Sequence, residues 1–142
     1  MSLIEFKDLP DTTTPLTADN LNNNFNELKP YVLYSNSTGS AGEITLSDSA
    51  ENYSYIEVYG AASNTYTFQK IKNPNNKKFN INLSYPQSNL MIMLLSVYSI
   101  TGNIISPVLA NCGYSTISTS ELCKFNSNNT NYFYITDVVG YK

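Results

Sequence analysis

Residues 90–100 have the sequence LMIMLLSVYSI, which is the longest apolar run in this 142-residue chain. A membrane-spanning helix needs about 20 apolar residues, so a run of this length predicts no transmembrane segment. A short, continuous apolar run is instead typical of a long β-strand that is buried on both faces. Gly102 and Asn103 separate this run from a second apolar segment, which predicts a tight hairpin.

Alternation of apolar and polar residues extends the β prediction to most of the chain. Tyr55, Glu57 and Tyr59 alternate with apolar residues, so they are expected on one face of a strand. The other predicted strands are residues 31–34, 43–46, 65–72, 79–83, 114–125 and 131–141. About eight or nine strands with turn residues between them, and no long helix, predict an all-β fold. The expected architecture is an antiparallel β-sandwich or jelly-roll-like head domain.

The N-terminal residues differ in character from the rest of the chain. Residues 9–15, Leu-Pro-Asp-Thr-Thr-Thr-Pro, favour an extended conformation because the prolines and the threonine run disfavour a helix. Pro30 marks the end of this segment. We therefore divide the chain into an N-terminal arm, residues 1–29, and a β-sandwich domain, residues 30–142, which we call the head domain.

One short α-helix is predicted within the arm, over residues 18–28, with Thr17 as its N-cap. Leu21, Phe25 and Leu28 are spaced by four and three residues, which places them on one narrow apolar stripe. A helix this short is not stable alone in water, so the stripe must be buried. We expect the stripe to be an oligomer interface between copies of the chain; packing against the head domain is the alternative.

The composition excludes several classes of function. The chain contains no histidine and no arginine, and its net charge is −3. Without histidine, Ser-His-Asp and Cys-His catalysis is impossible and a zinc site is not expected. An acidic chain without arginine predicts no nucleic-acid binding and no insertion into a membrane. A small basic cluster, which we interpret as a solvated hairpin tip, comprises Lys70, Lys72, Lys77 and Lys78.

Paired carboxylates, as in glycosidases, are the one catalytic device that the composition leaves open. The candidate acids are Glu51, Glu57, Glu121 and Asp137. Their spacing does not bring two of them together, so we expect solvated surface acids, no enzyme and no cofactor. Asp48 and Glu51 lie in a predicted turn, but they supply too few oxygens for a calcium site, and no metal is expected.

The two cysteines carry no recognisable metal or disulfide pattern. Cys112 and Cys123 fit neither CxxC ligation nor a dense disulfide framework. Residues 1–8 lack the basic and apolar regions of a secretory signal peptide. We therefore expect two free, buried thiols.

The alternating stretch provides the one candidate binding surface, formed by Tyr55, Glu57 and Tyr59. Aromatic rings combine a flat apolar face with a polar tip, which suits a sugar ligand or a protein interface. Tyr66 can join this surface from the neighbouring strand. The alternative is that these tyrosines line a subunit interface or a second face of the core.

The arm segment 6–22, FKDLPDTTTPLTADNLN, resembles the N-terminal stretch of tail-fibre, baseplate and receptor-binding proteins of phages and prophages of low-GC Gram-positive hosts. The head-domain segments that also resemble those proteins are 33–36, 43–47, 55–58 and 134–142. The resemblance therefore covers much of the chain. The asparagine-rich, arginine-free composition is consistent with an AT-rich genome.

The resemblance implies a virion protein that is assembled in the bacterial cytoplasm. Its expected form is a homotrimer whose β-rich head binds a host cell-surface saccharide without cutting it, while the arm binds other phage virion proteins. The candidate residues for virion attachment are Leu9, Pro10, Asp11 and Pro15. Fibres usually have a long shaft, whereas Pro30 joins arm and head directly here. A head fibre, decoration or baseplate protein that binds only other phage proteins is therefore the alternative.

Overall fold

The computed structural model describes residues 18–88, 90–116, 124–127 and 133–142. The elements in these ranges are the helix α1 (Ala18–Leu28), a 3-10 turn (Ala50–Asn52) and the strands β1 (Tyr31–Ser40), β2 (Ile44–Thr45), β3 (Tyr55–Ala62), β4 (Thr65–Lys72), β5 (Lys77–Gln87), β6 (Leu90–Thr101), β7 (Ile104–Thr116), β8 (Lys124–Ser127) and β9 (Tyr134–Tyr141).

The strands form two antiparallel sheets that share one core. The four-stranded sheet has the order β1-β9-β3-β4, and the five-stranded sheet has the order β2-β7-β6-β5 with β8 paired to β7. The largest fully buried aliphatic side chains come from both sheets: Ile56, Val58, Ile135 and Val138 from the first, and Ile81, Ile100 and Ile105 from the second. Burying each of them contributes roughly 1.5–3 kcal/mol to folding. The predicted all-β antiparallel sandwich is confirmed.

Strand β6 corrects the expectation that residues 90–100 are buried on both faces. Ile92, Leu94 and Tyr98 are buried in the core. Met93 and Leu95 point away from the core and are half-exposed. An antiparallel sheet needs only one covered face, and no element described in the structure packs over this one.

Two strands differ most from the predicted ones. Strand β1 continues through the glycine-containing segment that we expected to be a turn and ends at Ser40. An irregular register against β9, with Gly39 at a φ of +70°, absorbs the extra residues. The strand predicted over 114–125 is replaced by the ends of β7 and by β8. Residues 117–123 lie outside the described ranges.

The basic cluster is exposed as expected, but it does not form a hairpin tip. The turn at Asn73–Asn76 joins β4 to β5, and these two strands belong to different sheets. The turn therefore carries the chain across the edge of the sandwich. Lys70 and Lys72 consequently lie on one sheet, and Lys77 and Lys78 on the other.

Helix α1 has the bounds predicted from the sequence. The Phe25 side chain is 62% exposed and Leu21 is half-buried, while the Leu28 side chain is outside the described part of the chain. The predicted arm positions Leu9, Pro10, Asp11 and Pro15, and also Glu121 and Cys123, lie outside the described residues. The backbone of Cys112 belongs to β7. Within the described ranges, no helix is long and apolar enough to cross a membrane.

A close approach between β3 and β9 gives a direct test of the fold. A Cβ atom added at Gly60 would overlap the Phe133 ring and the Tyr134 carbonyl oxygen. Gly60→Ala should therefore destabilise the protein by roughly 1–3 kcal/mol through overpacking. Gly42→Ala is the matched control, because its Cβ would meet only the Ser40 Oγ atom at 3.9 Å. Thermal unfolding followed by circular dichroism measures both; equal midpoints for the two variants would contradict the described packing.

Candidate functional site

The outer face of the four-stranded sheet collects six aromatic side chains. Opposed residues of antiparallel strands point to the same face of a sheet. The relevant cross-strand pairs are Tyr55 with Tyr141, Tyr59 with Phe68, and Ala61 with Tyr66 and Tyr134. We name this surface the aromatic face and define it by Tyr55, Tyr59, Tyr66, Phe68, Tyr134 and Tyr141.

The structure brings the four candidate binding residues together on this face. Val58 is fully buried, while Tyr55, Glu57 and Tyr59 point outward from the same strand. The alternation predicted for β3 is thus confirmed. Tyr66 joins them from β4 and is 75% exposed.

Glu57 lies at the centre of the aromatic face and holds two tyrosine hydroxyls. Its Oε2 atom accepts hydrogen bonds from Tyr59 Oη at 2.7 Å and from Tyr141 Oη at 3.1 Å. The hydrogen bond to Glu57, together with burial, raises the pKa of Tyr59 to about 12. Burial and the same carboxylate also raise the pKa of Tyr141. Both hydroxyls therefore stay protonated at neutral pH. Because both donate to the same oxygen, they hold the Glu57 carboxylate in one orientation.

Ring stacking divides the aromatic face into a packed part and an open part. The Tyr55 ring stacks on Tyr141 with centroids 4.4 Å apart, and Lys70 Nζ lies 3.5 Å from the Tyr55 centroid. Such a cation–π contact contributes about 0.5–1 kcal/mol at an exposed site. Phe68 stacks on Tyr59 with centroids 5.5 Å apart but remains 57% exposed. Tyr55 is therefore enclosed by its neighbours, and the most exposed rings belong to β4.

A second carboxylate joins the face, which corrects the expectation that the candidate acids stay apart. Asp137 of β9 pairs with Tyr59, so it lies diagonally opposite Glu57, with roughly 7–8 Å between the two positions. Asp137 Oδ1 accepts a hydrogen bond from Ser35 Oγ at 2.7 Å. Glu51 lies elsewhere and accepts a hydrogen bond from an asparagine side chain.

Sequence reasoning missed three of the aromatic residues on this face. Phe68 follows Tyr66 by two residues, so the alternation within β4 could have identified it. Tyr134 and Tyr141 could not be found in this way. They reach the face because β9 pairs with β3, and no local pattern encodes that pairing.

Asp48 lines a polar depression of about 510 Å³. Its carboxylate stabilises the neighbouring turn by accepting hydrogen bonds from nearby residues. Its Oδ1 atom accepts hydrogen bonds from the Ser49 backbone at 2.7 Å and from Asn52 at 2.9 Å. Its Oδ2 atom accepts one from Tyr53 Oη at 3.0 Å. These hydrogen bonds lower the pKa of Asp48, and the bond from the Ser49 backbone has the largest effect. Within the described ranges, no three acidic, histidine or cysteine side chains cluster as metal ligands would.

No protein-family model matches this chain, and no curated protein matches it either. The inference of function therefore depends on the geometry of the aromatic face and on the resemblance of the arm. Of these two, the aromatic face offers chemistry that can be tested directly, because its rings and carboxylates are at the surface.

The tyrosine hydroxyls report on the geometry of the aromatic face. Glu57→Gln removes the negative acceptor, so the pKa of Tyr59 and of Tyr141 should fall toward the ordinary value of 10.0. Spectrophotometric titration of tyrosinate, summed over the twelve tyrosines, measures the combined change as a difference between variant and wild type. Glu51→Gln is the control, because that carboxylate bonds to Asn75. An unchanged alkaline titration in Glu57→Gln would show that Glu57 does not hold these hydroxyls.

The same bond makes stability depend on alkaline pH. Tyr59 has a higher pKa in the folded protein than in the unfolded chain, where it is near 10.0. Its contribution to stability is complete below pH 10 and is lost as the pH rises toward about 12. The Glu57→Gln variant should lose less stability than the wild type across this interval.

Proposed function

We propose that this protein is the non-catalytic receptor-binding head of a phage or prophage virion, and that the aromatic face binds a host cell-surface saccharide. The observation that carries the proposal is the exposed ring pair Tyr66 and Phe68, with the hydrogen-bonded carboxylate of Glu57 diagonally next to Phe68 on the same face. Aromatic rings pack against the apolar C–H faces of sugar rings, and fixed polar groups orient a ligand. Glu57 and Asp137 supply acceptors for sugar hydroxyls.

The shape of the aromatic face favours a polymer over a small molecule. Small-molecule sites are concave and enclose most of their ligand. The aromatic face is instead the outer surface of a sheet, and its rings are distributed over three adjacent strands. Strand β3, with eight residues, is roughly 26 Å long. A surface of this length can contact several consecutive sugar units of a wall polysaccharide.

The proposed place in the virion rests on the arm. Its resemblance to phage tail-fibre, baseplate and receptor-binding proteins supports attachment through Leu9, Pro10, Asp11 and Pro15. The exposure of Phe25 on α1 supports a homo-oligomer, which we propose to be a trimer. In that arrangement the helices associate and the heads present their aromatic faces outward.

A structural virion component is the second candidate function. Only Lys29 and Pro30 separate α1 from β1, so a fibre shaft is not present at this junction. In addition, tyrosines are enriched at protein interfaces as well as at sugar sites. In this alternative the aromatic face binds another phage protein, and the molecule is a head fibre, decoration or baseplate protein.

Binding to host cells tests the proposal. Labelled full-length protein should bind saturably to one strain in a panel of low-GC Gram-positive bacteria, and its purified wall polysaccharide should compete. Tyr66→Ala and Phe68→Ala should each weaken binding by roughly 2- to 10-fold, as expected for one aromatic contact. Tyr66 is 75% exposed, so Tyr66→Ala should leave thermal stability unchanged, whereas Phe68→Ala also loses the stacking on Tyr59 and should cost about 0.5–1.5 kcal/mol. Lys77→Ala, on the other sheet, is the control.

Two results of this experiment argue against the saccharide site. Binding that is equally strong in the wild type, Tyr66→Ala and Phe68→Ala would place the ligand elsewhere on the molecule. Absence of binding to every strain, with the phage's own host included, would favour the structural virion component.

Deletion of residues 1–29 tests the role of the arm. Within the described ranges, α1 makes no extensive contact with the strands. The truncated protein should therefore keep the circular-dichroism signal of the β-domain but no longer dock on virions. Loss of the β signal would contradict the domain boundary, and retained docking would contradict the attachment role.

A further inference from the structure

We infer that the outer face of the five-stranded sheet is a surface through which copies of this chain associate. We name it the β6 face and define it by Met91, Met93, Leu95 and Val97 of β6 and by Leu109 of β7, which pairs with Val97. It lies on the opposite side of the sandwich from the aromatic face. The inference therefore does not depend on saccharide binding, and it adds a second surface to the proposed helix interface.

The residue pattern of β6 is unusual for a sheet face in water. Outward positions of an antiparallel sheet are normally polar when that face is solvated. Neighbouring β5 follows the rule with Asn80, Asn82 and Ser84, which are all exposed. On β6, by contrast, four successive outward positions, Met91 to Val97, are apolar. Single exposed apolar residues are ordinary, whereas a contiguous apolar patch marks an interaction site.

The absence of charge over β6, β7 and most of β5 points to a protein interface. Residues 79–120 contain no aspartate, glutamate, lysine or arginine, although the whole chain has 19 of them, 8 basic and 11 acidic. This interval includes all of β6 and β7 and most of β5. The cores of protein interfaces are depleted of charged residues and enriched in methionine. Solvated surfaces show the opposite pattern.

A second copy of the chain fits this surface because the surface is complementary to itself. A depression of about 340 Å³ lies between β5 and β6, where Met93 and Leu95 form part of its wall. On the other side of β6, Leu109 of β7 pairs with Val97 and is 46% exposed. In a face-to-face pair, the Leu109 side chain of one copy can enter the depression of the other. Two such faces also approach without burying an unpaired charge.

The outer side of the five-stranded sheet is large enough for a specific interface. Strand β6 has 12 residues, which corresponds to roughly 40 Å, and three strands about 4.8 Å apart cover roughly 15 Å. The outer side of β5, β6 and β7 together therefore offers on the order of 600 Å² per copy, with the β6 face as its apolar centre and the exposed Asn80, Asn82 and Ser84 at its polar rim. A pair would bury roughly 1,200 Å², and specific interfaces exceed about 1,000 Å² in total.

The test introduces one charge at the centre of the β6 face in the full-length protein. Leu95→Lys places an ammonium group where it reaches water in a single copy but is buried between two copies. Sedimentation equilibrium and light scattering over a range of concentrations should show self-association of the wild type. Association should weaken at least about 30-fold in Leu95→Lys. Phe68→Lys, on the aromatic face, is the matched control and should associate as strongly as the wild type.

Further variants make the outcome decisive. Circular dichroism checks that Leu95→Lys is folded; if it is not, Leu109→Lys replaces it, because that side chain is already half-exposed. Folded variants that keep the wild-type mass would overturn the inference, as would a wild type that is monomeric at every concentration. Loss of association in Phe25→Lys but not in Leu95→Lys would assign the interface to α1 and also overturn it.

Discussion

Strand β9 hydrogen-bonds to β1 on one side and to β3 on the other, so the last described residues of the chain join segments far away in sequence. The Ser35 to Asp137 hydrogen bond, for example, spans 102 residues. This pairing completes the four-stranded sheet and supplies Ile135 and Val138 to the core. It also delivers Tyr141 and Asp137 to the aromatic face. Core and candidate site therefore depend on the same set of backbone hydrogen bonds.

The extent to which the sequence predicts this structure follows from the range of each interaction. Helix α1 and the two faces of β3 were predicted correctly, because a period of 3.6 or 2 residues is visible within a short window. The approach of Asp137 to Glu57 was not predicted, since it depends on the register between distant strands. The prediction that the outward side of β6 is buried was also wrong. A continuous apolar run does not distinguish burial within one chain from burial between two chains.

The two outer faces of the sandwich have different chemistry, and this difference supports separate roles. The aromatic face combines rings with Glu57, Asp137 and Lys70, so it can exchange hydrogen bonds with a polar ligand. The residues that define the β6 face have no ionisable group, so a contact made through this face is stabilised by the exclusion of water. In an assembly where copies meet through the β6 faces, the aromatic faces remain directed outward. Several weak saccharide contacts would then act together, and their combined affinity would exceed that of a single head.

The unequal sequence separation within the two sheets has a consequence for biosynthesis. The hairpins β5-β6 and β6-β7 join neighbouring segments, so they can form as soon as those residues leave the ribosome. Their apolar inner face, however, is covered only when the four-stranded sheet is complete, and that sheet needs β9. A nascent chain consequently leaves the inner side of this strongly apolar meander incompletely covered until β9 emerges. Incompletely covered apolar strands favour aggregation, so the interval between synthesis of β7 and docking of β9 is the most vulnerable stage of folding.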